Sequence, residues 1–298
     1  MEDFNPLVTI VIVCFNNSSF IKDSLDSVMM QDYHNLEVLI YDNGSSDSSV
    51  EIIKKHALYH KSKAFFNEQN LGLIPVLNDS LKKANGKYIT FLAGDDRILF
   101  DKISYQVKFL EENDKYYACA GSQIKIDKNG MNLSKREQKN IIDKFLVVDK
   151  KMLFNKTNII YSPTAIYNKE ILKKLGGYDE NILIEDLYIY YKAAFNNYEL
   201  ALIPKVFTEY RIHNNNSHTK YDWMVDNKIK ILELYNYKIG YEDLKRLIYL
   251  ESFYILAKSN KKRALTMLSD VFLCVINKPF DYKNLYFLSG IFSLLFRW

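Results

Sequence analysis

Apolar runs of strand length alternate with amphipathic segments of helix length over residues 1–125, and this alternation restricts the chain more than any other feature. Leu7–Cys14 is a continuous, largely β-branched run, as in a central parallel strand covered on both faces. Ser18 or Ser19 can cap a helix with Phe20, Ile21, Leu25, Val28 and Met29 on one face. Leu36–Tyr41 reads as a second strand ending in Asp42-Asn43-Gly44-Ser45-Ser46-Asp47, where Ser46 or Asp47 opens a helix to about His60. Ala64–Phe66 is a short strand, Pro75–Ala84 a helix closed by Asn85-Gly86, and Tyr88–Leu92 a buried strand halted by Ala93-Gly94-Asp95-Asp96. A helix near Asp101–Glu112 and a strand near Tyr117–Ile126 follow. Such alternation needs crossover connections, which predicts an α/β fold around an open, twisted, mostly parallel sheet flanked by helices.

Residues 127–157 are polar, Lys/Asn-rich and weakly periodic, which predicts a surface excursion. Tyr161–Tyr167 reads as a strand and Glu185–Tyr198 as a helix. Lys205–His213 reads as an extended edge with Phe207, Glu209, Arg211 and His213 on one face. From Tyr221 onward the pattern is helical. We therefore expect one domain over 1–220, with halves near 1–126 and 127–220, and a helical region over 221–298.

The opening Met1-Glu2-Asp3 is acidic where a signal peptide is basic, and Leu7–Cys14 is too short to span a bilayer, so a cytoplasmic location is expected. Forty Lys and Arg against 36 Asp and Glu leave a net charge of +4, too mild for a nucleic-acid binder. The excess lies wholly in residues 221–298, where we count 12 basic against 8 acidic residues. Cys14, Cys119 and Cys274 are too scattered for a disulfide framework or a structural zinc site. His34, His56, His60 and His218 show no ligand spacing and are expected to be surface or structural residues.

Leu265–Ile276, interrupted by Asp270, and the uncharged Leu285–Phe296 are apolar but short of the roughly 20 residues a spanning helix needs. Phe280, Tyr282, Lys283, Arg297 and Trp298 border them. Helices lying at a membrane interface have this pattern, and so does a helical cap or dimer contact.

In an open α/β sheet, ligands bind beyond the carboxyl ends of the strands. Asn16 and Asn17 follow the first strand, Asp42 the second and Asp95-Asp96 the fourth, while Glu185-Asp186 opens a later helix. Each group alone has a plain explanation as turn, cap or macrodipole complement. Together on one edge they point to ligand chemistry. Paired carboxylates suit a hard divalent cation, Mn²⁺ or Mg²⁺, whose other ligands are a substrate's phosphates. Neither GxGxxG nor GxxxxGK[ST] is present, so a bound diphosphate needs metal and side-chain cations, with Arg211 and His213 available.

The order of these segments resembles glycosyltransferase family 2. The matching stretches are Val8–Asn16, Val38–Asp47, Asn70-Leu71-Gly72 with Asn78, and Ala84–Asp96. Later come Gly176-Gly177-Tyr178-Asp179-Glu180, Glu185-Asp186 and Tyr210-Arg211-Ile212-His213, so the likeness covers about residues 7–220 in order. It implies a GT-A type fold and an inverting, metal-dependent hexosyl or N-acetylhexosaminyl transfer from a nucleotide-sugar, most often a UDP-sugar. By position it implies that Asp42 contacts the uracil and that the backbone at Phe15 and Asn16 lines base and ribose. Asp95 and Asp96 match the metal motif, with Asp96 the direct ligand; Asp186 matches the catalytic base and Glu185 its neighbour. Arg211 and His213 match a segment closing over the diphosphate or acceptor. Two departures are visible: Leu77 stands where many relatives have a basic residue, and Ala93-Gly94-Asp95-Asp96 lacks the first acid of Asp-x-Asp-Asp.

The family setting implies a glycan or lipid-linked glycan acceptor in capsule, O-antigen or related bacterial surface polysaccharide synthesis. Residues 265–298 would then touch the cytoplasmic face of the inner membrane. A sugar-phosphate nucleotidyltransferase is the alternative, but Phe15-Asn16-Asn17-Ser18-Ser19 lacks its basic loop; a non-catalytic scaffold in a glycan-assembly complex is another.

Overall fold

The computed structural model describes residues 5–134, 138, 141–155, 160–213, 221–236 and 238–296. Met1-Glu2-Asp3, His218, Arg297 and Trp298 lie outside the described residues. The chain divides into two compact units, one of Met1–Asp149 with Asn158–Asn214, the other of Lys150–Thr157 with Asn215–Trp298.

Nine strands of the first unit, among the described residues, form one mixed sheet. They are β1 (Val8–Cys14), β2 (Leu36–Asp42), β3 (Lys63–Phe66), β4 (Tyr88–Ala93), β5 (Arg97–Ile98), β6 (Tyr116–Ile126), β7 (Leu146–Val148), β8 (Ile166–Asn168) and β9 (Glu199–Arg211). Their spatial order is β3-β2-β1-β4-β8-β6-β9-β5, with β7 also on β9. β3, β2, β1 and β4 pair in parallel, as do β6 and β9, whereas β8, β5 and β7 pair antiparallel to their neighbours. The helices of this unit are α1 (Ile21–Met29), α2 (Ser49–Lys55), α3 (Leu73–Lys83), α4 (Lys102–Glu112), α6 (Lys169–Lys174) and α7 (Glu185–Phe195), while α5 (Lys150–Asn155) belongs to the second. β1 is buried along nearly its whole length, so Val8, Ile10 and Ile12 meet Ile21, Leu25 and Val28 of α1 in the core.

Several local expectations give way to longer-range contacts. α1 begins after Phe20 without a side-chain cap, and the Phe20 and Ile21 N–H groups bond instead to the Asn17 carbonyl, both at 2.8 Å. The helix expected to reach His60 breaks at His56, whose ring accepts from the Leu58 N–H and meets Asp26 at 2.9 Å. Gly86 is no left-handed cap. Its N–H donates to Thr9 Oγ1 at 3.0 Å, and a side chain there would strike the backbone of β1. Tyr161–Tyr167 is mostly a 3-10 turn around Pro163, with only the short β8 beyond it. The extended segment at 205–213 is no edge: β9 starts at Glu199 and runs between β6 and β5. Cys14 and Cys119 are buried in β1 and β6.

Beneath β4, Lys102 is fully buried and donates to Thr90 Oγ1 at 3.1 Å and Gln106 Oε1 at 2.8 Å. Burial lowers its ammonium from an ordinary 10.5 to about 7, with only Cys119 pulling the other way. Between those values the unfolded chain binds more protons than the folded one, so stability rises with pH across the window and is lost as pH falls through it. Lys102→Met is expected to flatten that slope, measured as denaturant midpoints at either end of the window.

The second unit gathers α5 with α8 (Tyr221–Glu233), α9 (Tyr241–Ser259), α10 (Lys261–Thr266), α11 (Leu268–Asn277) and α12 (Asn284–Phe296). Its core joins Leu250, Phe253 and Leu256 of α9 to Val225, Ala264 and Val271. Lys228 and Glu251 form a buried ion pair at 2.6 Å. No helix among the described residues is long and apolar enough to cross a membrane.

Candidate active site

The parallel strands end in line, with Cys14 opposite Asp42 and Val13 opposite Ala93, so the loops after β1, β2 and β4 share one edge. Asp42 is buried there, its carboxylate accepting from the Ser45 N–H at 2.9 Å and Ser45 Oγ at 2.6 Å. Asn16 sits in the left-handed region at φ 53°. Its N–H donates to Ser45 Oγ and its side-chain oxygen accepts from the Ser46 N–H, both at 2.8 Å. Burial alone would raise the Asp47 carboxyl, but bonds from Ser49 and Ser18 outweigh it and hold the group at about 2. Asn17 accepts from the Phe15 N–H at 3.1 Å and donates its N–H to Ser49 Oγ at 3.0 Å, and its side-chain oxygen lies close enough to Gly94 to crowd any side chain there. Phe15 leaves the end of β1 with its ring exposed.

The turn Gly94-Asp95-Asp96 meets the end of β9 because β5 pairs antiparallel to it, Arg97 opposite Glu209. Asp95 and His213 come together there, Oδ2 to Nε2 at 2.8 Å, each side chain still partly open to solvent. Asp96 is buried and accepts from the Arg211 N–H at 2.9 Å; burial and the neighbouring Asp95 raise its carboxyl well above the ordinary value. Arg211, expected over a diphosphate, instead lies inside the protein at 1% exposure. Its guanidinium donates to the carbonyls of Asp95, Asp127 and Lys128 and to the Asp23 carboxylate at 2.9 Å. Phe20 stacks beneath it, its centroid 4.8 Å away, and against the His213 ring. With its donors directed inward, the side chain pins the acidic turn to β9.

Glu185 and Asp186 open α7. Burial first and then the Asp186 charge push the Glu185 carboxyl up to about 8, so it keeps its proton at neutral pH. The segment before α7 is held by Asn78 of α3, whose amide donates to the Tyr178 carbonyl and accepts from the Tyr178 N–H, both at 2.9 Å. Gly177 precedes this clamp at φ +66°, with Asn78 Oδ1 2.8 Å from any Cβ it might carry, so only glycine fits. Tyr210 precedes Arg211 at the end of β9. Its phenol is raised by burial and then by the charges of Asp96, Asp95 and Asp186, which therefore bear on a single hydroxyl.

Asp95, Asp96 and His213 thus meet where the turn after β4 joins the end of β9, while Asp42, Phe15 and Asn16 stand at the neighbouring strand ends. Tyr210 and Asp23 escape sequence reasoning as site residues. Tyr210 offers one signal, its place beside Arg211 on the opposite face of the strand; Asp23 offers none, because it is called into the site by a residue 188 positions away.

A mixed α/β sheet with acidic groups at its ligand edge is a GT-A type architecture, and solved structures of that type superpose on the chain. The Staphylococcus aureus TarS 1-349 structure in complex with UDP-GlcNAc aligns with a TM-score of 0.68 at 17% identity, over 96% of this chain and 89% of that one. A Pyrobaculum calidifontis mannosyltransferase in complex with GDP-Man and Mn²⁺ aligns at 0.66 and 17%, over 99% and 88%. The chain belongs to glycosyltransferase family 2: the description "Glycosyl transferase family 2" matches residues 9–176. It is a glycosyltransferase. An uncharacterised glycosyltransferase of Methanocaldococcus jannaschii is 29% identical over 78% of this chain and 77% of its own length. A poly-beta-1,6-N-acetyl-D-glucosamine synthase of Staphylococcus epidermidis is 27% identical over 66% of this chain, which spans about half (48%) of the synthase.

Proposed function

We propose that this glycosyltransferase transfers a hexosyl or N-acetylhexosaminyl group from a nucleotide-sugar, with inversion, to a lipid-linked glycan acceptor in bacterial surface polysaccharide synthesis. The meeting of Asp95 and His213 at 2.8 Å, beside the buried Asp96 and at the carboxyl end of the parallel strands, carries this reading. A UDP-sugar donor is favoured by the UDP-GlcNAc held by TarS, and an N-acetylhexosaminyl group by the name of the synthase relative. Asp42, with the backbone at Phe15 and Asn16, would receive the base and ribose.

No group of three or more His, Cys, Asp or Glu side chains arranged for a metal occurs among the described residues. A carboxylate and an imidazole, Asp95 and His213, nevertheless fit Mn²⁺ or Mg²⁺ when a substrate diphosphate completes the coordination. They would hold it with Asp96 behind them, and the ion, when bound, would offset charge on the leaving diphosphate. Asp186 takes the proton of the acceptor hydroxyl. The acceptor oxygen bonds the anomeric carbon as the bond to the diphosphate breaks, its electron pair leaving with the nucleotide. Arg211 acts from below, fixing the turn that carries Asp95 and Asp96.

A panel of nucleotide-sugars, with and without Mn²⁺, tests the reading through release of nucleoside diphosphate. Turnover of a UDP-sugar is expected, with metal dependence shifted to higher concentration by Asp95→Asn. Turnover indifferent to chelator and to that substitution would remove the metal from the proposal.

A further inference from the structure

The clamp between α3 and Tyr178 has the form of a two-point joint. Asn78 lies on α3, 100 positions before Tyr178 in the chain. Its amide nitrogen donates to the Tyr178 carbonyl and its amide oxygen accepts from the Tyr178 N–H, so one side chain satisfies both backbone groups of a buried residue. The two bonds need a donor and an acceptor together. A carboxylate at position 78 would set an oxygen against the Tyr178 carbonyl, and an aliphatic side chain would leave both groups unmet.

The same corner is held from two other elements. From α7, the Lys192 ammonium donates to the Gly177 carbonyl at 3.4 Å and to the Tyr188 hydroxyl at 2.7 Å. From β4, the Phe91 ring meets the Tyr178 ring edge-on, centroids 6.1 Å apart, and the same strand leads directly into Gly94-Asp95-Asp96. Between the corner and α7 the chain is folded on itself. The Ile182 N–H donates to the Asp179 carbonyl at 3.1 Å, the Asn181 N–H to the Asp179 carboxylate at 2.9 Å, and Ile182 is buried. α7, with Asp186 in its first turn, therefore takes its position from α3 and β4 through Gly177-Tyr178.

We infer that Asn78 is a positioning residue for sugar transfer: through the Gly177-Tyr178 corner it fixes where α7 holds Asp186 relative to the turn Gly94-Asp95-Asp96. This rests on Asp186 as the base. Placement matters because a displacement of about 1 Å at the reacting groups can lower a rate about a hundredfold. Donor binding falls to the strand-end loops and should be indifferent to the corner.

Single-turnover release of UDP from UDP-GlcNAc, with water as acceptor, and calorimetric titration of UDP test it on the full chain. Asn78→Asp keeps the volume and one of the two bonds; its rate is expected to fall about tenfold to a hundredfold with UDP affinity unchanged. Lys192→Met loosens the same corner from α7 and should give the same split, so either variant that keeps its thermal midpoint suffices. Added to Asp186→Asn, Asn78→Asp should lower the rate no further, because a base that is gone cannot be misplaced. A merely structural role would instead lower UDP affinity with the rate, or multiply the two losses, and either result would overturn the inference. Asp186→Asn at the parental rate would remove the base and this inference with it. A full loss in Asp186→Asn beside parental rates in Asn78→Asp and Lys192→Met would remove the inference alone.

Discussion

Replacing Asp186 by Asn is expected to lower sugar transfer about 10³-fold while leaving affinity for the nucleoside diphosphate unchanged. The change removes one charge and almost no volume, and the Asp186 carboxylate accepts from the Leu187 N–H at 2.6 Å. Single-turnover rates beside calorimetric titration of the nucleotide separate the two quantities. Glu185 supplies the control. Because its carboxyl is pushed up to about 8, Glu185→Gln resembles the form present at neutral pH and should keep most of the activity there. The sign of its contribution to stability follows. The folded chain holds a proton that the unfolded chain has released between the ordinary 4.5 and about 8, so stability falls as pH rises across that window and is fully present below it. Glu185→Gln should flatten the fall. Transfer that survives Asp186→Asn, yet disappears with Glu185→Gln, would exchange the two roles.

Arg211→Ala is expected to cost about 3–5 kcal/mol of stability, the range for breaking a buried charge pair from one side. Three carbonyls and the Asp23 carboxylate lose their donor, and Asp96 loses the cation nearest to it. Lysine should not rescue the site, since one ammonium cannot reproduce the planar fork that reaches Asp95, Asp127, Lys128 and Asp23 together. Denaturant midpoints measure the loss, and Asp96→Asn provides the internal test. If Arg211 compensates a buried acid, the double variant should lose less than the sum of the singles. Strict additivity would mean that the two side chains act independently. A second readout separates positioning from bulk stability: at a temperature where the variant remains folded, the metal concentration for half-maximal turnover should rise for Arg211→Ala, as for Asp95→Asn.

β1, β2 and β4 were legible because strands buried on both faces are written as uninterrupted apolar runs, and their acidic ends therefore fell on one edge by topology alone. β9 was not. Its first half, Glu-Leu-Ala-Leu-Ile, has no period of its own, and its pairing with β6 spans about eighty positions of chain and passes through register shifts. β7 and β8 have three residues each, too few for any periodicity to register. The site divides in the same way. Carboxylates at strand ends announce themselves by position, whereas the burial of Arg211 is decided jointly by Asp23, Asp95, Asp127 and Lys128. No local pattern encodes such a convergence, and so a cation expected to close over diphosphate or acceptor is found buried and bonded within the fold. The same holds for Lys102, whose spacing marks it only as a residue of α4 and whose burial depends on Thr90 and Gln106.

The closure of the acidic turn by β9 also sets an order of events during synthesis. A chain emerging from the ribosome can lay down β1 to β4 early, but the strand that neutralises Asp96 and brings His213 to Asp95 arrives more than a hundred residues later. A nascent chain stalled before Arg211 would hold two adjacent carboxylates without the guanidinium that fixes their turn. The acidic turn therefore reaches its final form only when nearly the whole first unit has been translated.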